Sequence, residues 1–391
     1  MESLPIDAAH ATIVAAVRAT PLTILIGETG SGKTTRLCQI LYDAGVPVRT
    51  PRIAITNPRR IGAESVADRV CELRNERLGG LVGYRVRFDD RTSAATRLVF
   101  MTDGVLISEL ASARSLPYDV IIIDEAHERS LNVDLLLGAL PDLLHATPSL
   151  RAVIASATIN PARFEAFFAA HDIATQTVSV PGRCFPVHIT HGVGSPSSTL
   201  QAVVAAVLRL HCSRPADGDV LVFLAGADEI EACSTLLAHE AEHTRAETDL
   251  MIVPLYSAIQ RDVRRTVFLP TPPQTRKVVI ATNIAETSIT VPGIRYVVDQ
   301  GVAKVLRATG PAEGLAVEPI SKASAVQRAG RAGRTAEGEC FRLYSEEAFA
   351  ALPDDAEPEV TRVNLEEHLL RMRVLGLPVR PTSFIDPPPR H

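Results

Sequence analysis

The stretch LTILIGETGSGKTT, residues 22–35, decides the fold. It opens on an apolar run of strand type and passes into GETGSGKT (27–34), which fits the spacing G-x-x-x-x-G-K-[ST]. A strand that ends in a glycine-rich loop and opens a helix predicts an α/β domain with a phosphate site at the loop. Gly27, Gly30 and Gly32 let the backbone turn its N–H groups toward a triphosphate. Lys33 is placed to reach the β- and γ-phosphates, and the Thr34 hydroxyl to ligate Mg²⁺. Glu28, Thr29, Ser31 and Thr35 complete the candidate cradle.

The pattern continues outward from this stretch. RIAIT (52–56), RLVFMT (97–102), VIIID (120–124) and AVIASAT (152–158) are further strand candidates. IGAESVADRVCELRNERL (61–78) and NVDLLLGALPDLLHA (132–146) read as helices between them. The alternation implies a parallel sheet covered on both faces. It then restarts with DVLVFLA (219–225), MIVPLYS (251–257), KVVIAT (277–282) and RYVVD (295–299). PGRCFPVH (181–188) marks the break, and GVGSPSS (192–198) reads as surface loop. The expected architecture is therefore two tandem α/β domains, 1–182 and 183–380, followed by a proline-rich tail, 381–391. GVAKVLRATGPAEGLAVEPIS (301–321) reads as a β-hairpin around a GPAEG turn.

Bulk properties exclude several classes. Of 391 residues, 46% are hydrophobic and 22% charged, a globular composition. No apolar run approaches the ~20 residues of a membrane span, and the N-terminus lacks the layout of a secretory signal. Six scattered cysteines without a CxxC pair argue against a disulfide framework or zinc site. An intracellular location, cytoplasmic or nuclear, is expected, with no membrane partner. The net charge of −5 does not exclude a nucleic-acid partner, since phosphate binding needs only a local basic surface. All but four of the 40 basic residues are arginines, through phosphate-binding preference or compositional bias of the genome.

IIIDEAHERS (121–130) sets five ionisable groups at the end of an apolar strand. Beside a phosphate loop this has a chemical reading. Asp124 would hold Mg²⁺ through water, and Glu125, near the same metal, could polarise the attacking water. A solvated turn whose acids cap the next helix is the plain competitor, and it loses beside the loop.

GETGSGKTT (27–35), TNPRR (56–60), VGYRVRFDD (82–90), TDG (102–104), DEAHERS (124–130), SAT (156–158), VFLAG (222–226), ATNIAETSIT (281–290) and QRAGRAGR (327–334) occur in this order. Together they closely resemble the two RecA-like core domains of the DEAH-box (DEAH/RHA) family of superfamily 2 RNA helicases. LPI (4–6) and PGRCFPV (181–187) resemble the family's flanking pieces. The resemblance implies ATP, with other NTPs accepted, and Mg²⁺ as cofactor. It implies single-stranded RNA as partner and movement in the 3′-to-5′ sense, by a monomer. Gln327, Arg331 and Arg334 match the motif that acts on the γ-phosphate; a basic helix face that binds solvent or backbone phosphate has the same spacing. Arg69 and Phe268 match the residues that sandwich the base, with a core aromatic as the other reading of Phe268. Ser288 falls in the nucleotide-facing ATNIAETSIT run. RNA contacts carry over to Arg59, Arg60, Thr102, Asp103, Gly226, Ser257, Thr282 and Asn283. Simple strand-end hydroxyls remain an alternative for Ser257 and Thr282. His127, Ser156 and Thr158 match the seam that couples hydrolysis to the second domain, and Glu128 with Arg129 is expected to form a salt-bridge pair there. The 301–321 hairpin occupies the place of a strand-separating hairpin, with a purely structural hairpin equally open.

Asn57 stands where many relatives carry Gln. The family's core continues past a DPPP-like segment into a winged helix, a ratchet domain and an OB-fold, whereas the sequence given stops at PPPRH. Processive unwinding and the binding of glycine-rich activators, which those domains support, are not expected from these residues alone. Two further readings stay open: a clamp that binds nucleic acid without hydrolysis, and a DNA helicase.

Overall fold

The structure is a computed structural model. It describes residues 4–388 apart from 29, 113–115, 158–159, 183–184, 193–198, 216, 245, 247, 260, 288, 290, 310–311 and 375–383. Thr29, Thr158 and Ser288 of the candidate site, the loop core 193–198 and the turn at 310–311 thus lie outside the described residues.

Two compact units emerge. The first is Met1–Arg183 with Arg307–Glu313 and Glu357–His391; the second is Cys184–Leu306 with Gly314–Ala356. The sequence reading ran the second domain to residue 380, whereas the chain rejoins the first unit at Glu357. The physical reason is a set of polar ties from Glu359 and Asp386 to the turn around Arg129.

The first unit carries strands β1 (Leu22–Gly27), β2 (Ile53–Asn57), β3 (Val82–Val86), β4 (Asp89–Asp90), β5 (Leu98–Thr102), β6 (Val120–Ile123), β7 (Arg151–Ser156) and β8 (Thr175–Val180). Their order is β4-β3-β5-β2-β6-β7-β1-β8, parallel throughout except the β3–β4 pair. Helices α1 (Pro5–Ala8), α2 (His10–Ala19), α3 (Lys33–Asp43), α4 (Arg60–Arg74), α5 (Asp103–Ser112), α6 (Leu131–Ala146) and α7 (Pro161–Ala169) connect them. The central strands are apolar on both faces because helices cover both: all four residues of β6 are buried. Leu25, Ile55, Phe100 and Ile122 share one core with Leu37 and Leu41 of α3 and Val70 of α4.

The second unit repeats the plan. Strands β9 (Val187–His191), β10 (Asp219–Phe223), β11 (Asp249–Leu255), β12 (Thr275–Ala281), β13 (Ile294–Asp299) and β16 (Gly338–Arg342) form a sheet of order β11-β12-β10-β13-β16-β9, every pair parallel. Strands β14 (Val302–Thr309) and β15 (Ala312–Pro319) form a separate two-stranded sheet, the hairpin expected from sequence. Helices α8 (Leu200–Ser213), α9 (Ala227–Glu242), α10 (Arg261–Thr266), α11 (Lys322–Ala329) and α12 (Glu346–Ala350) accompany the sheet. A last helix, α13 (Glu366–Val374), lies in the returning segment. No helix among the described residues is long and apolar enough to cross a membrane.

Candidate nucleotide site and nucleic-acid interface

The phosphate loop sits where an open α/β sheet places ligands, at the carboxyl end of a parallel strand. Gly30 and Gly32 have φ of 81° and 90°, the left-handed region that glycine enters at no steric cost. Gly32 caps α3, so Lys33 and Thr34 begin the helix. A Cβ at Gly27 would lie 2.8 Å from Ser31 Oγ and 3.2 Å from Lys33 Cδ, so the bare backbone lets the loop fold over the lysine. The N-terminal segment braces the loop from behind. Ile6 N–H donates to the Ser31 carbonyl at 3.0 Å, and Arg36 pairs with Asp7 at 3.0 Å. On the other side Gly182 N–H donates to the Glu28 carboxylate at 3.0 Å. Thr35 accepts a hydrogen bond from Gln39 through its carbonyl, at 2.6 Å.

β6 delivers the acids to this loop. Lys33 Nζ lies 3.8 Å from Glu125 Oε2, and His127 Nδ1 lies 3.6 Å from the same oxygen. Burial, and next the charge of Glu125, push the Asp124 carboxyl well above the usual carboxylate range, while Lys33 and the Thr34 hydroxyl pull it back. Asp124 Oδ1 accepts from Glu125 N–H at 2.9 Å, and its Oδ2 is buried without a partner. Ser31 Oγ and Ser156 Oγ are orphaned and buried in the same way. A hard cation beside Asp124 and Thr34, with phosphate oxygens above the loop, would satisfy this donor set; the residues fit Mg²⁺ and a triphosphate.

His127 sits in a one-turn 3₁₀ helix, Ala126–Glu128, entered and left through left-handed residues, Glu125 (φ 55°) and Arg129 (φ 47°). Its Nδ1 accepts from Ala157 N–H at 3.4 Å, which ties DEAH to the SAT run. The ring proton of that tautomer is on Nε2, buried without a partner. The expected Glu128–Arg129 pair is not formed. Glu128 instead meets Arg59 at 3.3 Å, and Arg129 reaches Asp134 at 2.7 Å and Asp386 at 2.6 Å. The two neighbours take different partners, Arg129 itself standing in the left-handed region.

The candidate RNA contacts divide. Arg59 and Arg60 stand at the start of α4, Arg60 bonded to Glu64 at 2.7 Å. Asn57 fixes this corner: its Oδ1 accepts from Arg59 N–H at 3.0 Å and fills the space a Cβ on Gly62 would take. Thr102 is half-buried at the end of β5. Asp103, expected as an RNA contact, is 2% exposed and is no surface group. Burial pushes its carboxyl up to about 7, with the charges of Glu128 and Asp124 adding to the rise.

In the second unit Gly226 caps α9, with the Lys304 side chain lying where a Cβ would be, 2.5 Å from Nζ. Ser257 is exposed after β11, and Thr282 caps the single turn Asn283–Ala285. Gln327 is buried on α11. Arg331 is 5% exposed and turned inward, donating to the carbonyls of Ile289 and Glu286, and Arg334 is half-buried. Phe268 is half-buried just past α10. Arg69, in the first unit, pairs with Glu72 at 2.7 Å on an exposed face of α4.

Arg328 was missed by the sequence reading. It is fully buried, pairs with Asp299 at 2.8 Å and Glu286 at 3.0 Å, and stacks 4.8 Å over the Phe223 ring. Tyr344 donates to Asp299 at 3.1 Å in the same network. Burial opposes the charge of Arg328, but the two carboxylates overrule that and raise its pKa. Nothing in the run QRAGRAGR marks Arg328 and Arg331 as the arginines that turn inward.

A phosphate loop, an acidic strand end and two RecA-like units define a phosphate-loop NTPase of tandem architecture. The DEAD/DEAH box helicase family matches residues 8–167, and the helicase conserved C-terminal domain matches residues 202–336. Among solved structures, the Escherichia coli DEAH/RHA helicase HrpB is similar at a TM-score of 0.88 and 34% identity, over 99% of this chain and 49% of that one. The chain therefore spans about half the length of that relative. It belongs to the DEAH-box family of superfamily 2 helicases.

Proposed function

We propose that the chain is the core of an ATP-dependent RNA helicase or translocase, moving 3′ to 5′ on single-stranded RNA. One observation carries the reading: Lys33, Glu125 and His127 converge within 3.8 Å beside an Asp124 oxygen that is buried and unpaired. Lys33 binds the β- and γ-phosphates and offsets their charge. Glu125 takes the proton of the attacking water. Thr34 and Asp124 would hold Mg²⁺, which when bound supplies positive charge to the phosphates. Gln327 and Arg334 act on the γ-phosphate, as would Arg331 once its guanidinium leaves the Ile289 and Glu286 carbonyls. Arg69 and Phe268 hold the base by stacking, a contact that accepts any NTP. Arg59, Arg60, Thr102, Gly226, Ser257, Thr282 and Asn283 offer charges, hydroxyls and backbone groups suited to sugar and phosphate, so RNA is held without regard to sequence. Asp103 supports this surface from beneath. His127 couples hydrolysis to RNA.

The test compares NTP hydrolysis by the wild-type chain and Glu125→Gln, without nucleic acid and with RNA or DNA strands of one sequence. RNA should stimulate the wild type, and Glu125→Gln should lose roughly 10²- to 10⁴-fold in rate while still binding nucleotide. Equal background hydrolysis in both proteins would leave only a binding clamp. Equal stimulation by DNA would remove the RNA assignment.

A further inference from the structure

The turn that carries Glu125 and His127 is held from several parts of the chain, His127 by Ala157 and Glu128 by Arg59 among them. It is three residues long, and the left-handed residues at either end are not glycine. Such backbone persists only where the surroundings over-determine it. Part of those surroundings comes from the far end of the chain.

Arg129 closes the turn and is 9% exposed. Nε donates to Asp134 Oδ1 at 2.7 Å and Nη2 to Asp134 Oδ2 at 3.1 Å, a fork on the first turn of α6. The same Nη2 donates to Asp386 Oδ2 at 2.6 Å, 257 residues away. Asp386 is itself 9% exposed and also pairs with Arg163 of α7, while Phe384 beside it is buried. The backbone is gripped as well: the Arg129 carbonyl accepts from Glu359 N–H at 3.0 Å, and the Glu359 carboxylate accepts from Leu131 N–H at 2.7 Å. Side chain and main chain of one left-handed residue are thus both fixed by the returning segment.

We propose that Asp386 and Glu359 are positioning residues for hydrolysis, holding the Glu125–His127 turn through Arg129. This inference rests on the functional reading of Glu125 given above. Each acid is joined to the turn through Arg129 or Leu131 and not through the phosphate loop. Their effect is on where the Glu125 carboxylate and the His127 ring stand relative to Lys33, and misplacement by ~1 Å is enough to cost on the order of 10²-fold in rate. The returning segment is then part of the catalytic unit rather than a spacer after it.

The experiment uses the full chain with Asp386→Asn, Asp386→Glu and Glu359→Gln beside the wild type. Two readouts are taken: NTP kinetics, and hydrogen exchange of the amides of residues 124–131 against those of the phosphate loop, 30–35. Asp386→Asn and Glu359→Gln should lower kcat roughly tenfold with KM changed by less than about twofold. They should also speed exchange in 124–131 and leave 30–35 unchanged. Asp386→Glu should recover most of the rate. A wild-type kcat in Asp386→Asn, unchanged exchange at 124–131, or exchange rising across the whole unit would overturn the proposal. Hydrolysis that is absent from the wild type would refute the functional reading alone, and the exchange data would still decide whether the turn depends on Asp386.

Discussion

A carboxylate held at 2% exposure is costly when charged, and Asp103 is such a group: the Thr56 hydroxyl offsets only part of the effect of burial. Its folded pKa of about 7 lies above the 3.8 of the free side chain. Between those values the folded chain holds a proton that the unfolded chain has released, so stability falls as pH rises through that window. Asp103→Asn removes the penalty. It should stabilise the first unit by on the order of 2 kcal/mol above pH 7, a rise of a few degrees in melting temperature, and by progressively less toward pH 4. Melting curves of both proteins from pH 5 to pH 8.5 test this; a difference that does not vary with pH would refute it. The residue also shows where sequence stops being legible. TDG matches a nucleic-acid motif, and Thr102 does stand at a strand end, yet nothing in three letters tells that the carboxylate beside it turns under the sheet. The same holds for Arg328, whose carboxylate partners, buried Asp299 and half-buried Glu286, lie 29 and 42 residues away. Lys33, Thr34, Asp124 and Glu125 were legible because loop and strand end are each local, and a parallel sheet brings the two together.

At the scale of elements, the phosphate loop is tightly constrained at Gly32. Gly32 holds φ at 90°, and a Cβ there would lie 2.8 Å from Leu4 Cδ1 and 3.2 Å from Ile6 Cγ2. Gly32→Ala therefore meets left-handed strain and a collision with the N-terminal segment together. We expect a loss of roughly 1–3 kcal/mol, with nucleotide binding weakened more than tenfold because the loop must lift to relieve the contact. Melting and binding of a fluorescent nucleotide measure both. Unchanged affinity would show that the loop accepts the methyl by moving Leu4 alone. Other elements follow from simpler rules. β1, β2, β5, β6 and β7 were readable as continuous apolar runs, since a strand covered on both faces has no polar side. α6 was readable as one helix although Pro141 lies inside it, because buried leucines continue on both sides of the proline. β8, β9 and β16 were not. β8 and β9 are edge strands, and β16 alternates between buried and half-buried residues, so TQTVSV, VHITH and GECFR carry a diluted signal.

At the scale of the molecule, the chain leaves its first unit at residue 183 and returns to it at Glu357. Sequence periodicity could show two domains but not the return, because the pairings that define it, Arg129 with Asp386 and Leu131 with Glu359, span 257 and 228 residues. The return has an energetic consequence that can be located. Val360 and Phe384 are buried in it, at 0% and 5% exposure, and each apolar side chain of this kind contributes about 1.5–3 kcal/mol when removed from water. Deleting residues 357–391 also leaves the Arg129–Asp134 pair open to solvent and releases the Leu131 amide. The deletion should therefore destabilise the first unit, residues 4–182, by several kcal/mol, while the second unit, 184–356, keeps its stability because its own core around Val220, Val222, Ile280 and Val298 is untouched. Hydrogen exchange under partial denaturant resolves the two along the chain. Protection lost across strands β1, β6 and β7 with β10, β12 and β13 unchanged is the expected pattern. The opposite pattern, with loss confined to the second sheet, would return the segment to the domain in which sequence reading had placed it.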